Sequence, residues 1–99
     1  MLIEFTEKAI EAVETYKKQL SIAEDQYLRV GIRQKNAQDK GLLIGFDSPG
    51  AKDKTTSIQG LNVVYNPGQV FFFAGMVIDF SEQNGRKGFT FIEKNKLTK

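Results

Sequence analysis

Tyr27-Leu28-Arg29-Val30-Gly31-Ile32-Arg33 is the stretch on which the fold turns. Leu28, Val30 and Ile32 alternate with Arg29, Gly31 and Arg33, a period of two that marks a strand with one buried face. A polar segment, Gln34 to Lys40, follows, and Leu42, Ile44 and Phe46 then resume the same alternation. Two alternating runs joined by a turn-rich loop predict a long hairpin. Gly31 and Gly45 leave gaps where another backbone or a bulge can sit.

Upstream, the period changes to that of a helix. Thr6 is placed to cap it with its hydroxyl, and Phe5 and Ile10 occupy the hydrophobic-staple positions on either side. Ile10, Val13, Tyr16 or Lys17, and Leu20 fall at helical spacing, and Glu14 stands one turn ahead of Lys18. A helix from Glu7 to Leu20 with one buried face is expected, led by a short strand over Leu2 to Phe5.

Downstream, Asp47 to Thr56 carries Ser48-Pro49-Gly50 and several charges, the composition of an exposed loop. Ser57 to Gln59 and Leu61 to Tyr65 are strand-like and broken at Gly60. Asn66-Pro67-Gly68-Gln69 combines an N-cap residue, a proline at the first helical position and a glutamine three residues after the cap. That predicts a short helix closed by Gly75. Met76, Ile78 and Phe80 alternate, Asn84-Gly85 supplies a turn, and Phe89 and Phe91 alternate in a last strand. The expected architecture is α+β: one long N-terminal helix, one short helix, and about six mostly antiparallel or mixed strands in a compact, sandwich-like core. Residues 1–99 form a single domain.

Composition removes several function classes. The 99 residues contain no cysteine and no histidine. The usual ligands of structural zinc and of iron–sulphur clusters are therefore absent. Net charge is only +2, with lysines and acids interspersed except at Lys94, Lys96 and Lys99. Nucleic-acid binders concentrate positive charge on one face, so no nucleic-acid partner is expected. The longest apolar run, Val70 to Ala74, falls far short of the roughly 18 residues of a membrane span. Without a basic-then-apolar leader, the expected location is cytoplasmic.

Catalytic patterns are missing too. Ser48 and Ser57 have no histidine to act as base, and Asp47, Asp53 and Glu82 lack the spacing of a calcium loop. Gly85-Arg86-Lys87-Gly88 lies between two strands, outside the strand–loop–helix setting of a phosphate-binding loop. The protein is not expected to be an enzyme or to hold a metal or other cofactor. Two features remain for binding. Phe71, Phe72 and Phe73 exceed what one face of a short helix needs to bury, so a ring is available for a partner contact, against the alternative that all three are core. The polar tip Gln34 to Lys40 is the other.

The order of these pieces resembles the A-type iron-sulfur carrier (HesB/IscA-like) family. Leu28-Arg29-Val30-Gly31-Ile32-Arg33 is similar to that family's L-R-[LV]-G-[VI]-R strand. Leu42 to Phe46, Leu61-Asn62-Val63-Val64-Tyr65, Ile78-Asp79-Phe80 and a G-F-x-F strand at Gly88-Phe89-Thr90-Phe91 follow in the family's order. The resemblance implies a HesB-like domain. It also locates what is missing: the family's first cluster-ligating cysteine corresponds to Ala37. Its C-x-C pair corresponds to the tail after Phe91, where neither Asn-Pro-Asn nor cysteine occurs. No ligand carries over. The implied role is a cysteine-free accessory or regulatory scaffold in iron–sulphur protein maturation, working through a protein partner or as a homo- or hetero-oligomer. The alternative is a diverged protein- or ligand-binding module on the same scaffold.

Overall fold

The computed structural model describes residues 2–34 and 40–93. The position expected to matter most, Ala37, and the tail from residue 94 lie outside the described residues.

Helix α1 spans Glu7–Gln19, and the Thr6 hydroxyl accepts the Ala9 amide as its N-cap. Its other end closes on a left-handed residue: Ser21 has φ 50°, its N–H reaches the Lys18 carbonyl, and the Ile22 N–H reaches that of Lys17. This is the paired 6→1 and 5→2 bonding of a Schellman turn, with serine where glycine is usual. The turn swings Leu20 out to 61% exposure. The buried face is accordingly narrower than the spacing predicts, running through Ala9, Ala12 and Val13.

Among the described residues, seven strands form two sheets. Strands β1 (Glu4–Phe5), β6 (Met76–Gln83) and β7 (Arg86–Glu93) form one in the order β1-β6-β7. Strands β2 (Tyr27–Gln34), β3 (Lys40–Asp47), β4 (Lys54–Ile58) and β5 (Leu61–Tyr65) form the other in the order β3-β2-β5-β4. The β2–β3 hairpin has the register its alternation implies, pairing Leu28 with Phe46, Val30 with Ile44 and Ile32 with Leu42. Pairing is parallel for β1 with β6 and for β2 with β5, and antiparallel elsewhere.

The β4 strand begins at Lys54, inside the stretch predicted as loop. It is an edge strand, so Lys54 and Thr55 remain in solvent and carry no apolar signal, while their backbone pairs with Tyr65 and Val64. Its turn to β5 places Gln59 at φ 51° and Gly60 at φ 86°, a two-residue turn of the type favoured in hairpins.

The predicted short helix is a 3-10 turn over Pro67–Gln69 running into α2 (Val70–Phe73), followed by Gly75 at φ 81°. Asn66 caps it, accepting the Gly68 amide. Gln69 does not complete a capping box. Its side chain instead holds the main chain of β2, accepting from the Ile32 N–H and donating to the Ile32 carbonyl, both at 3.2 Å. The paired register of β2 with β5 covers only Leu28 and Arg29, so the amide of Gln69 serves as the hydrogen-bonding partner beyond the end of β5. Gly31 makes this approach feasible, because a Cβ there would lie 2.6 Å from Gln69 Oε1.

Gln59 repeats the device at the seam between the sheets, bonding the Phe5 N–H at 2.6 Å and the Phe5 carbonyl at 2.9 Å. The core between the layers is apolar throughout. Ile3, Val13, Val30, Val63, Phe73 and Ile78 are among its fully enclosed side chains, and among the described residues no polar or charged side chain is buried.

Candidate functional site

The three phenylalanines separate. Phe73 is fully buried and meets the Tyr65 ring edge-on at 6.3 Å. Phe71 is 91% exposed and Phe72 37%, their rings 5.7 Å apart in a T-shaped pair. With only four residues, α2 has one inward position, and Phe73 takes it. Phe71 therefore points to water, where a large apolar side chain is unfavourable unless something covers it.

The acids that sequence reading weighed as an oxygen site do not meet as one. Asp47 and Asp53 converge on a cation, Arg29, whose Nε is 2.6 Å from Asp47 and whose Nη atoms hold both oxygens of Asp53. Each carboxylate also accepts a main-chain amide, Asp47 from Ser48 and Asp53 from Gly50. The Arg29 hydrogen bond, aided by those amides, holds both carboxyls below the usual aspartate range. The bond to Asp53 is foremost in raising the guanidinium pKa. The cluster fastens the β3–β4 loop to β2. Glu82 lies on β6, and among the described residues no group of three Asp, Glu, Cys or His side chains is arranged for a metal.

The serines are apart as well. Ser48 accepts from Gln26 Nε2 at 2.8 Å, and Ser57 sits exposed on β4 opposite Asn62. Gly85 ends the β6–β7 turn at φ 79°, and Arg86 and Lys87 are strand residues of β7.

A groove that sequence reading did not anticipate opens beside α1. It measures about 510 Å³ and lies where Leu20, Ile22, Ile44 and Phe46 face Phe80 and Phe89. Tyr16 stands 6.1 Å from Phe80 and 6.2 Å from Phe89, and those two rings meet edge-on at 4.8 Å. All three rings are only half-buried. Each contributor reads locally as core, and only their convergence from α1, the β2–β3 and β6–β7 hairpins and the chain after α1 produces a groove.

Comparisons with known proteins bear on this frame. The chain matches solved structures at low identity but close superposition. A crystal structure of IscA with the [2Fe-2S] cluster aligns at TM-score 0.78 and 20% identity, over 95% of this chain and 86% of that one. Escherichia coli SufA, described as involved in biosynthesis of iron–sulfur clusters, aligns at TM-score 0.71 and 17% identity, covering 94% and 86%. A protein from Aquifex aeolicus, solved by NMR in solution, aligns at TM-score 0.70 and 22% identity, covering 93% and 91%. No curated protein sequence matches. The profile of the family described as iron–sulphur cluster biosynthesis matches residues 1–97. With a HesB/IscA-like fold and a match spanning nearly all its length, the chain belongs to the iron–sulphur cluster biosynthesis family.

Proposed function

We propose that this protein is an accessory in iron–sulphur protein maturation that ligates no cluster itself and works by docking a protein partner. One observation carries the reading: a family match over residues 1–97 in a chain with no cysteine and no histidine. Cluster iron is held by thiolates, or by imidazoles in their place. The methyl group of Ala37 and a lysine-rich tail supply neither. The frame persists without the groups that grip the cargo, and what a frame offers is surface.

The Phe71–Phe72 edge supports the docking role. Aromatic side chains are enriched among the residues that carry binding energy, because they desolvate a large area at little entropic cost. The partner in this reading is a cluster-assembly protein or another family member, bound in the cytoplasm without nucleic acid, membrane or catalytic turnover. Among the described residues no helix is long and apolar enough to cross a membrane.

Anaerobic reconstitution of the purified protein with iron and sulphide tests the first half. After desalting, no visible cluster absorbance is expected, and a stable chromophore overturns the reading. Capture from the source cytoplasm tests the second half: cluster-assembly proteins should be retained by the wild type and lost with Phe71→Ser. Recovery of none of them favours the second reading, a binding module that has left iron–sulphur metabolism, for which the aromatic groove speaks.

A further inference from the structure

The groove beside α1 is independent of the iron–sulphur reading and of the Phe71 edge. Its floor and walls are aromatic and aliphatic, and its lining includes one charged side chain, Lys87. Lys87 is exposed and makes no ion pair or hydrogen bond with the described residues. A volume of about 510 Å³ suits a small molecule, since such sites occupy roughly 300–1,000 Å³.

The surrounding charges narrow the occupant. Glu82 faces Lys87 across the β6–β7 ladder, and the depression on the far side of Tyr16 and Phe80 is lined by Glu82, Glu11, Lys8 and Lys87 itself. A polyanion at Lys87 would meet the Glu82 carboxylate directly opposite. A single carboxylate approaching from the apolar side meets the lysine first, leaving its apolar portion against the rings. A second copy seated on the groove would bury Lys87 against an otherwise apolar lining, a cost unless the lysine finds a carboxylate there.

We propose that this groove binds an amphipathic monocarboxylate, an apolar chain or ring system packed on Tyr16, Phe80 and Phe89 with its carboxylate on Lys87. The acid is held at one end by charge and along its length by burial. An uncharged analogue keeps only the second contribution.

Titration of the full chain with 11-(dansylamino)undecanoic acid, and its displacement by dodecanoate below the micellar range, tests this. One saturable site is expected. Lys87→Met, which keeps an apolar stem, should weaken dodecanoate roughly fivefold, the upper range for an exposed charge pair. The same change should leave methyl dodecanoate unaffected. Leu20→Glu alters an exposed residue of the groove and should weaken both ligands on the order of tenfold, equivalent to about 1.4 kcal/mol. Absence of saturable binding overturns the proposal, and so does binding indifferent to Leu20→Glu. A dimer in sedimentation equilibrium that Leu20→Glu dissociates, without probe binding, overturns it in favour of a second copy.

Discussion

Replacing Gln69 with alanine removes both hydrogen bonds that its side chain makes to the main chain of Ile32. Each such bond contributes about 1 kcal/mol net, so the substitution should cost about 2 kcal/mol. For a chain of 99 residues that corresponds to a fall in Tm of roughly 8–16 °C. The sharper test uses Gly31. An alanine methyl there would stand 2.6 Å from Gln69 Oε1 and 3.7 Å from Leu43 Cδ2. The first distance is impossible and the second is ordinary contact, so the glutamine must swing away and the clamp is lost.

Against that loss, alanine in a strand is favoured over glycine by about 0.5–1 kcal/mol. Gly31→Ala alone should therefore destabilise by about 1–1.5 kcal/mol, the clamp's two bonds less this gain. In a Gln69→Ala background nothing remains to displace, and the same substitution should stabilise by about 0.5–1 kcal/mol. Urea unfolding followed by circular dichroism measures all four variants of the cycle, and hydrogen exchange at the Ile32 amide reports the bond itself. The predicted signature is a reversal of sign with a coupling of about 2 kcal/mol. If Gly31→Ala costs the same in both backgrounds, Gln69 does not hold β2 and the reasoning fails.

Two other changes have definite outcomes. Asp47 and Asp53 have folded pKa values held below the unfolded ones by Arg29. Their contribution is therefore complete above about pH 4, the unfolded aspartate value, and is lost as pH falls through the lower folded values. Acid unfolding of the wild type should thus be steeper below about pH 4 than that of Arg29→Ala, a comparison read by circular dichroism across pH 2–6 at constant ionic strength. Ser21→Gly should raise stability by about 0.5–1 kcal/mol in urea unfolding, because Ser21 adopts φ 50° at the C-terminus of α1, where glycine is unstrained.

Local periodicity made much of this fold legible. Leu28, Val30 and Ile32 alternate because one face of β2 is core, and the same holds for Leu42, Ile44 and Phe46, so strands, hairpin and register follow from spacing. Thr6 and Asn66 cap helices through bonds spanning two or three residues, and such bonds are visible in a short window. The errors arose where a residue's role depends on something distant or small. Lys54, Thr55 and Thr56 look like loop because an edge strand announces itself by backbone pairing rather than by apolar side chains. Leu20 has helical spacing but is the C-cap residue, turned outward where the helix closes at Ser21, whereas Ala9 and Ala12 pack the helix against the core and are too small to draw attention.

Gln69 shows the limit most clearly. Three residues after Asn66, it satisfies the pattern of a capping box, and local reading assigns its amide to the helix N-terminus. The amide goes to Ile32, 37 positions earlier, because β5 ends too soon to pair the rest of β2 and leaves an N–H and a carbonyl to be satisfied. Arg29 likewise gathers Asp47 and Asp53 from 18 and 24 positions away. The candidate sites divide along the same line. The absence of cysteine is legible letter by letter, since a thiol is either present in the sequence or it is not. The aromatic groove is illegible because Tyr16, Phe46, Phe80 and Phe89 each look like ordinary core, and only the convergence of α1, β3, β6 and β7 leaves them half-covered together. In a chain without cysteine or histidine, function held by other side chains is therefore to be sought where distant elements converge.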